Sequence, residues 1–310
     1  MPIHLPPTST RRDWLKQCAG AGLGFMAADA AIGAEPGKGE TWILFSDTHI
    51  AENLALEARG ACMGDNLKRC VAQALKEKEK PFGVMVNGDL AYLDGQAGDY
   101  GAFLSLMQPL RDAGLPVHLT LGNHDNRETF MTNCTSLDLA LMEEKKPVAQ
   151  KQVSVVSSAR IHWVLLDSLD QVNATPGVLG EAQLAWIDRT LAGLTDKPTV
   201  VMVHHNPQGP VPEGGKKTGL ADSDAFLSVL ESHKNVKALF YGHTHNWEVK
   251  NGDKTGLHRI NLPPIAYVFN KERPSGWVRA TVRTDGMDLE MRGLNPAHPE
   301  HGQKVSLTWS

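Results

Sequence analysis

The chain has 310 residues, 41% hydrophobic and 21% charged, with a net charge of -4, which excludes a disordered or fibrous polymer and allows a large buried core. That charge also disfavours the broad basic surface that non-specific nucleic-acid binding needs, so no nucleic-acid partner is expected.

At the amino terminus, Thr10-Arg11-Arg12-Asp13-Trp14-Leu15-Lys16 precedes a short Gly- and Ala-rich apolar run, with small residues at Ala28, Ala30 and Ala34. The stretch resembles a twin-arginine export signal, and its apolar core falls short of the ~20 residues of a membrane-spanning helix. Residues 1–34 are therefore expected to be a processed signal. The partner this implies is the twin-arginine export machinery, the destination is the periplasm or the exterior, and no stable membrane anchor is expected. Beyond the signal, Cys62, Cys70 and Cys134 are an odd number and imply no disulfide framework. Cys70 lies at helical spacing with Leu67, Val71 and Ala74, as a small core residue would.

The first strong strand, Thr41 to Phe45, is a nearly continuous apolar run suited to a sheet covered on both faces, and it ends in Ser46-Asp47-Thr48-His49. An Asp and a His two residues apart can reach one metal, although a turn capped by the Asp would use the same residues. Residues 51–64 have no period and read as a lid or substrate loop. Asp65 or Asn66 then caps a helix running towards Lys80. A second strand, Phe82 to Val86, ends in Asn87-Gly88-Asp89, and a helix marked by Tyr100, Phe103, Leu104, Met107 and Leu110 follows.

The next strand, Val117 to Leu121, delivers Gly122-Asn123-His124-Asp125-Asn126-Arg127: an amide oxygen, an imidazole, a carboxylate and a guanidinium in one turn. Residues 129–152 fit a helix or a loop. Strands near 152–156 and 161–166 end at Asp167-Ser168, a helix spans Leu184 to Leu194, and the strand Thr199 to Val203 ends in His204-His205. Asp222 begins another helix, and Val236 to Tyr241 ends in Gly242-His243-Thr244-His245. From Trp247 the runs shorten and alternate at 258–262, 265–269, 277–282 and 287–291, which predicts antiparallel strands of a second sheet. One domain over 41–292 and a tail at 293–310 are expected.

Five strands thus end in turns carrying Asp47, His49, Asp89, Asn123, His204, His243 and His245, and ligands gather at the carboxyl ends of strands in α/β sheets. Carboxylates, imidazoles and one amide, without thiolates, suit a catalytic Mn, Fe, Zn or Co site.

On these five blocks the chain resembles the metallophosphoesterase, or calcineurin-like phosphoesterase, superfamily from about Thr41 to Asn246. Asn126-Arg127 and His204-His205 look most like its cyclic-nucleotide phosphodiesterase and glycerophosphodiesterase branch, whereas Asn206-Pro207 stands where that branch usually has two prolines. The resemblance implies a four-layer α/β/β/α sandwich of two packed mixed sheets with the dinuclear metal site at the strand carboxyl ends. It also implies that Asp47, His49, Asp89 and His245 hold one metal, and Asp89, Asn123, His204 and His243 the other. A hydroxide shared by metals ~3.5–4 Å apart would attack phosphorus, with His124 protonating the leaving alkoxide. Asp125 is placed to orient His124, and Arg127 either holds a phosphate oxygen or braces the loop by an ion pair. The expected function is an exported phosphodiesterase acting on a small phosphoester. A monoesterase or pyrophosphatase using the same site is the alternative, and a non-catalytic metal-binding or interaction protein is the alternative of another class.

Overall fold

The computed structural model describes residues 3–5, 39–138, 148–252 and 256–309. Residues 6–38, the body of the expected signal, lie outside these, as does the side chain of Cys134. β1 (Ile3–Leu5) pairs antiparallel with residues 117–119, so the first residues of the stretch read as a signal run along a sheet edge. In β2 (Glu40–Ser46) the apolar run is continuous because both faces are covered: Ile43 and Phe45 enter one core, Trp42 and Leu44 another.

The stretch expected to be a loop contains a small hairpin, β3 (Glu57–Ala58) and β4 (Ala61–Cys62). It turns through Arg59 and Gly60, both at positive φ (52° and 80°), the backbone a two-residue hairpin needs. α1 (Met63–Ala74) begins before the expected caps and stops short of Lys80. Asn66 instead donates to the Ala266 carbonyl at 2.8 Å, and the charged run from Lys76 to Lys80 has no apolar side chain to hold a further turn.

β5 (Gly83–Asn87), α2 (Ala97–Asp112) and β6 (Val117–Thr120) follow as expected, and α3 (Arg127–Asp138) resolves the start of the ambiguous stretch as helix. The middle of the chain alternates β7 (Ser154–Ser157), β8 (His162–Leu165), α4 (Glu181–Gly193), β9 (Thr199–Met202), α5 (Ser223–Ser232) and β10 (Val236–Tyr241). Then come β11 (Glu248–Lys250), β12 (His258–Asn261), β13 (Gly276–Val282), β14 (Gly286–Gly293) and β15 (Lys304–Thr308).

Three expectations fail in this last part. β12 runs parallel to β10 inside the middle sheet, not in a later antiparallel one. Residues 265–269 form no strand, because their backbone serves the site: the amides of Ile265 and Ala266 donate to the carbonyls of Ser46 and Asp47. The expected tail contains β15, which pairs with β14 and buries Leu307, so the domain continues almost to the end of the chain.

One sheet has the order β1-β6-β5-β2-β13-β14-β15 and the other β11-β12-β10-β9-β8-β7, each with parallel strands at its centre. The chain therefore builds the middle of the first sheet, crosses to build the second, and returns. Their facing sides meet in an aromatic core where Trp42 and Trp163 lie 5.6 Å apart and Trp163 and Phe240 5.4 Å. On the outside, α1 and α2 cover the first sheet through Leu67, Cys70 and Phe103, and α4 and α5 cover the second through Ile187, Leu191 and Phe226. The result is the expected four-layer α/β/β/α sandwich. Cys70 is buried in the outer core as its spacing predicted, and Cys62 and Cys70 are free thiols.

Candidate metal centre

Parallel strands of both sheets point their carboxyl ends to one edge, and the turns there have unusual backbones. Asp47, His49, Asp89, His243 and His245 all adopt positive φ, between 45° and 68°, which side chains other than Gly, Asn and Asp rarely take. Three of them, His49, His243 and His245, are of the rarer kind, and gathered in one place they concentrate strain at a site. Close approach of the turns adds to it: a Cβ on Gly122 would strike Asp89, and one on Gly242 would strike Ser46 and Asp47.

Ligand atoms of Asp47, His49, Asp89 and His245 lie within 4.8 Å of one another, and so do those of Asp89, His204 and His243. Asp89 belongs to both groups. Its Oδ2 is 3.5 Å from His49 Nε2 and 3.2 Å from His204 Nε2, while its Oδ1 accepts the His124 amide at 2.9 Å. Six of the seven expected ligands are thereby brought together. Asn123, the seventh, is 4% exposed, and its side-chain oxygen has no hydrogen-bond partner.

Tautomers are fixed from behind. His204 Nδ1 donates to the Asn87 carbonyl at 3.0 Å and His245 Nδ1 to the Tyr267 carbonyl at 2.6 Å, so that both Nε2 atoms face the cluster. The Nε2 atoms of His49 and His245 are 3.0 Å apart, an arrangement that a cation between lone pairs explains. Burial drives His49 and His245 towards the neutral form a metal requires, and burial with the neighbouring His204 takes His243 down to about 3. Burial would lower His204 too, but Asp89 and Asp47 beside it carry it up to about 9. The orphaned acceptor of Asn123 and imidazoles clustered around a shared carboxylate fit a pair of metal ions, whose charge would take the place of the proton that the two carboxylates hold on His204.

One expected role changes. Asp125 does not touch the His124 ring. Its carboxylate is fully buried and accepts from the backbone amides of Gly122 (2.8 Å), Leu90 (3.2 Å) and Ala91 (3.2 Å) and from the Tyr100 hydroxyl (3.2 Å). Burial, then the charge of Asp89, pushes it up to about 7 against the pull of those amides. The His124 ring is held instead by the Leu93 carbonyl, which accepts from Nδ1 at 2.6 Å, and it lies 5.1 Å from the His49 ring. Arg127 takes the bracing role: Nε and Nη2 donate to Asp167 at 2.6 and 2.9 Å, and Nη2 also donates to the Leu169 carbonyl. Its Nε and Nη2 donors are taken by a carboxylate and a carbonyl, an ion pair that braces the loop.

His205 stands behind the cluster, its Nδ1 2.7 Å from Ser168 Oγ and its ring 4.6 Å from that of His243. Sequence reasoning missed Tyr267, which stacks on His49 and tilts over His245, and Phe269, which stacks on His245. Arg59 at the hairpin tip lies over both of these rings, 5.7 and 4.8 Å from their centres. A run of five apolar residues made 265–269 look like a strand, and nothing in it marks a carbonyl that must bond an imidazole.

Two mixed sheets that assemble such a cluster at their common edge define a metal-dependent phosphoric ester hydrolase. The chain belongs to the calcineurin-like phosphoesterase family, whose profile matches residues 42–247. It is 29% identical over 245 residues to a probable cyclic nucleotide phosphodiesterase of Synechococcus sp., covering 78% of this chain and 87% of that one. It is 26% identical over 179 residues to a glycerophosphodiester phosphodiesterase of Enterobacter lignolyticus, covering 57% and 60%. In fold it is similar to a dimetal phosphatase from Danio rerio, with a TM-score of 0.65 at 18% identity over 88% of this chain and all of the other.

Proposed function

We propose that the protein is an exported phosphodiesterase that uses two metal ions to cleave small phosphodiesters. The observation that carries this is the shared Asp89 carboxylate, with one imidazole group on each side and the His124 ring beside it. Asp47, His49, Asp89 and His245 would hold one ion, and Asp89, Asn123, His204 and His243 the other. When bound, the ions, drawn from Fe, Mn, Zn or Co, supply positive charge at the phosphoryl oxygens and a more acidic water.

The protein's own part is positioning and proton transfer. With Nδ1 donating to the Leu93 carbonyl, the Nε2 of a protonated His124 is the group that gives its proton to the leaving alkoxide. Asp125 ties the 89–91 backbone to the 122–125 turn, which keeps that imidazole beside the ions. Preference for diesters is supported by the phosphodiesterases among its relatives. Export is supported by the paired arginines before the short apolar run.

A panel of phosphomonoesters, phosphodiesters and pyrophosphates, run with each of the four metals, tests the activity. Highest kcat/KM on a diester is the expected result. A preference for monoesters or pyrophosphates would replace the diesterase assignment, and a metal-loaded protein silent on the whole panel would favour a non-catalytic role. Cell fractionation tests export, which a full-length cytoplasmic product would contradict.

A further inference from the structure

Among the described residues four large apolar side chains are exposed, Leu75, Leu93, Val172 and Phe269, and three of the four stand on turns tied into the candidate metal centre. Leu75, the exception, closes α1. Leu93 is the residue whose carbonyl holds His124 Nδ1 at 2.6 Å. Val172 precedes Asn173, whose amide donates to the Asn123 carbonyl at 2.6 Å, and Phe269 stacks on His245 with ring centres 4.4 Å apart. From Leu93 to Phe269 the contacts are continuous, because the His124 ring is 5.1 Å from that of His49 and the His49 ring 4.9 Å from that of His245. Single exposed apolar residues are ordinary, whereas apolar residues gathered around one site mark a surface that meets an apolar ligand or partner.

Leu93 sharpens the point. It is 46% exposed and sits at φ 58°, a conformation that bulky side chains rarely adopt. Glycine or asparagine would make the same turn with less strain, offer the same carbonyl to His124 and suit water better. A leucine that is unfavourable both in backbone and in solvation points to a side chain used for contact. Phe269 narrows the chemistry of that contact. His245 stacks on its ring and Arg59 lies 4.8 Å from its centre, so the 54% of it that stays exposed offers an apolar edge, suited to hydrocarbon, and no platform for a flat ring.

The position of the rim argues for substrate over another macromolecule. His124 is the group that gives its proton to the leaving alkoxide in the reaction proposed above, so Leu93 stands where the leaving alcohol emerges. An occupant of the rim must come up to the reacting atoms, as an arm of the substrate does.

We propose that Leu93, Val172 and Phe269 bind a hydrocarbon part of the substrate, so that the enzyme prefers phosphodiesters whose leaving alcohol carries an alkyl chain over those with short polar arms. The preference rests on the phosphodiesterase proposal, but binding of the hydrocarbon requires no turnover.

Steady-state rates of the metal-loaded protein on dimethyl, butyl methyl and hexyl methyl phosphate, with the released alcohol identified, test the preference. Calorimetric titration with methyl phosphate and hexyl phosphate tests binding alone. Each methylene buried is worth about fourfold, so kcat/KM is expected to rise at least about tenfold from the dimethyl to the hexyl methyl diester, with hexanol released. Hexyl phosphate should bind tighter than methyl phosphate by at least about the same factor. Leu93→Ser keeps the carbonyl that holds His124 and should cut the hexyl-to-methyl ratio at least about threefold, as should Val172→Ser, whereas Leu93→Met should retain it. Damage to the fold or the metals slows every diester alike and leaves that ratio in place. A ratio near unity in the unaltered protein, or one that Leu93→Ser and Val172→Ser both leave unchanged, would overturn the proposal. So would a dimer that sedimentation shows Leu93→Ser to disperse, which would make the rim a contact between copies. Tighter binding of hexyl phosphate, lost in Leu93→Ser, with no diester hydrolysed would uphold the hydrocarbon site and reject the phosphodiesterase proposal.

Discussion

His124 and Asp125 are neighbours with opposite environments, and their substitutions should fail in different ways. The His124 ring is partly exposed, and one of its nitrogens is held by a carbonyl. His124→Ala is therefore expected to keep its fold and its metals while kcat falls about 10²- to 10⁴-fold, the usual worth of a positioned proton donor. Elemental analysis beside turnover checks this, with Asp89→Ala as the contrast that loses metal and activity together. Asp125→Ala removes the acceptor for three backbone amides in a site without water access, so it should cost at least about 2 kcal/mol of stability, read as a lowered denaturation midpoint. If Asp125→Ala leaves stability unchanged but abolishes turnover, the anchoring role is wrong. Identity was readable at this scale, because Asp, His and Asn at strand ends announce their chemistry. Direction was not: from the order Asn-His-Asp-Asn-Arg nothing says that Asp125 faces the backbone of residues 89–91, or that Arg127 finds Asp167, forty positions away.

Strands and turns were legible to the extent that both faces of a strand were buried. β2, β5, β9 and β10 stood out as apolar runs because each lies between a helical layer and the opposite sheet, and burial on both sides leaves few polar positions to blur the pattern. The alternating runs after Trp247 misled for a physical reason. A loop and a strand can carry the same short apolar run, so 265–269 looked like a strand, and a run as short as β12 does not tell a parallel partner such as β10 from an antiparallel one. The turn after β10 offers the test proper to this scale. Gly242 closes against the side chains of Ser46 and Asp47, which come from the other sheet, so Gly242→Ala must displace the Ser46 hydroxyl and the carboxylate of Asp47, a proposed ligand. Lower metal affinity and a lower Tm are expected together, and a Gly242→Ala protein with unchanged metal binding would show that the turn has room to spare.

Across the whole molecule, the cluster is a fastening between the two sheets. Asp47, His49, Asp89 and Asn123 follow strands of the first sheet, and His204, His243 and His245 follow strands of the second, so each proposed ion is held by both. Arg127 and Asp167 make a second tie across the same edge without a metal. Ligands that bind only the folded state add RT ln(1 + [L]/Kd), about 2.7 kcal/mol for each ion at a hundred times its Kd. Two ions then amount to roughly 5 kcal/mol, which in a chain of this size is a Tm shift of about 10 °C or more. Chelation followed by dialysis should lower the Tm by that much and speed hydrogen exchange at the ends of β2, β5, β9 and β10, while the Trp42–Trp163–Phe240 core between the sheets stays protected. The remaining tie predicts the additivity. In Arg127→Ala the edge loses this tie and keeps the shorter-range bonds such as that from His204 to the Asn87 carbonyl, so chelation should lower its Tm further than it lowers that of the unaltered protein. An equal shift in both proteins would mean that the two ties are independent, and a Tm indifferent to proven metal loss would mean that the sheets are joined by their core alone.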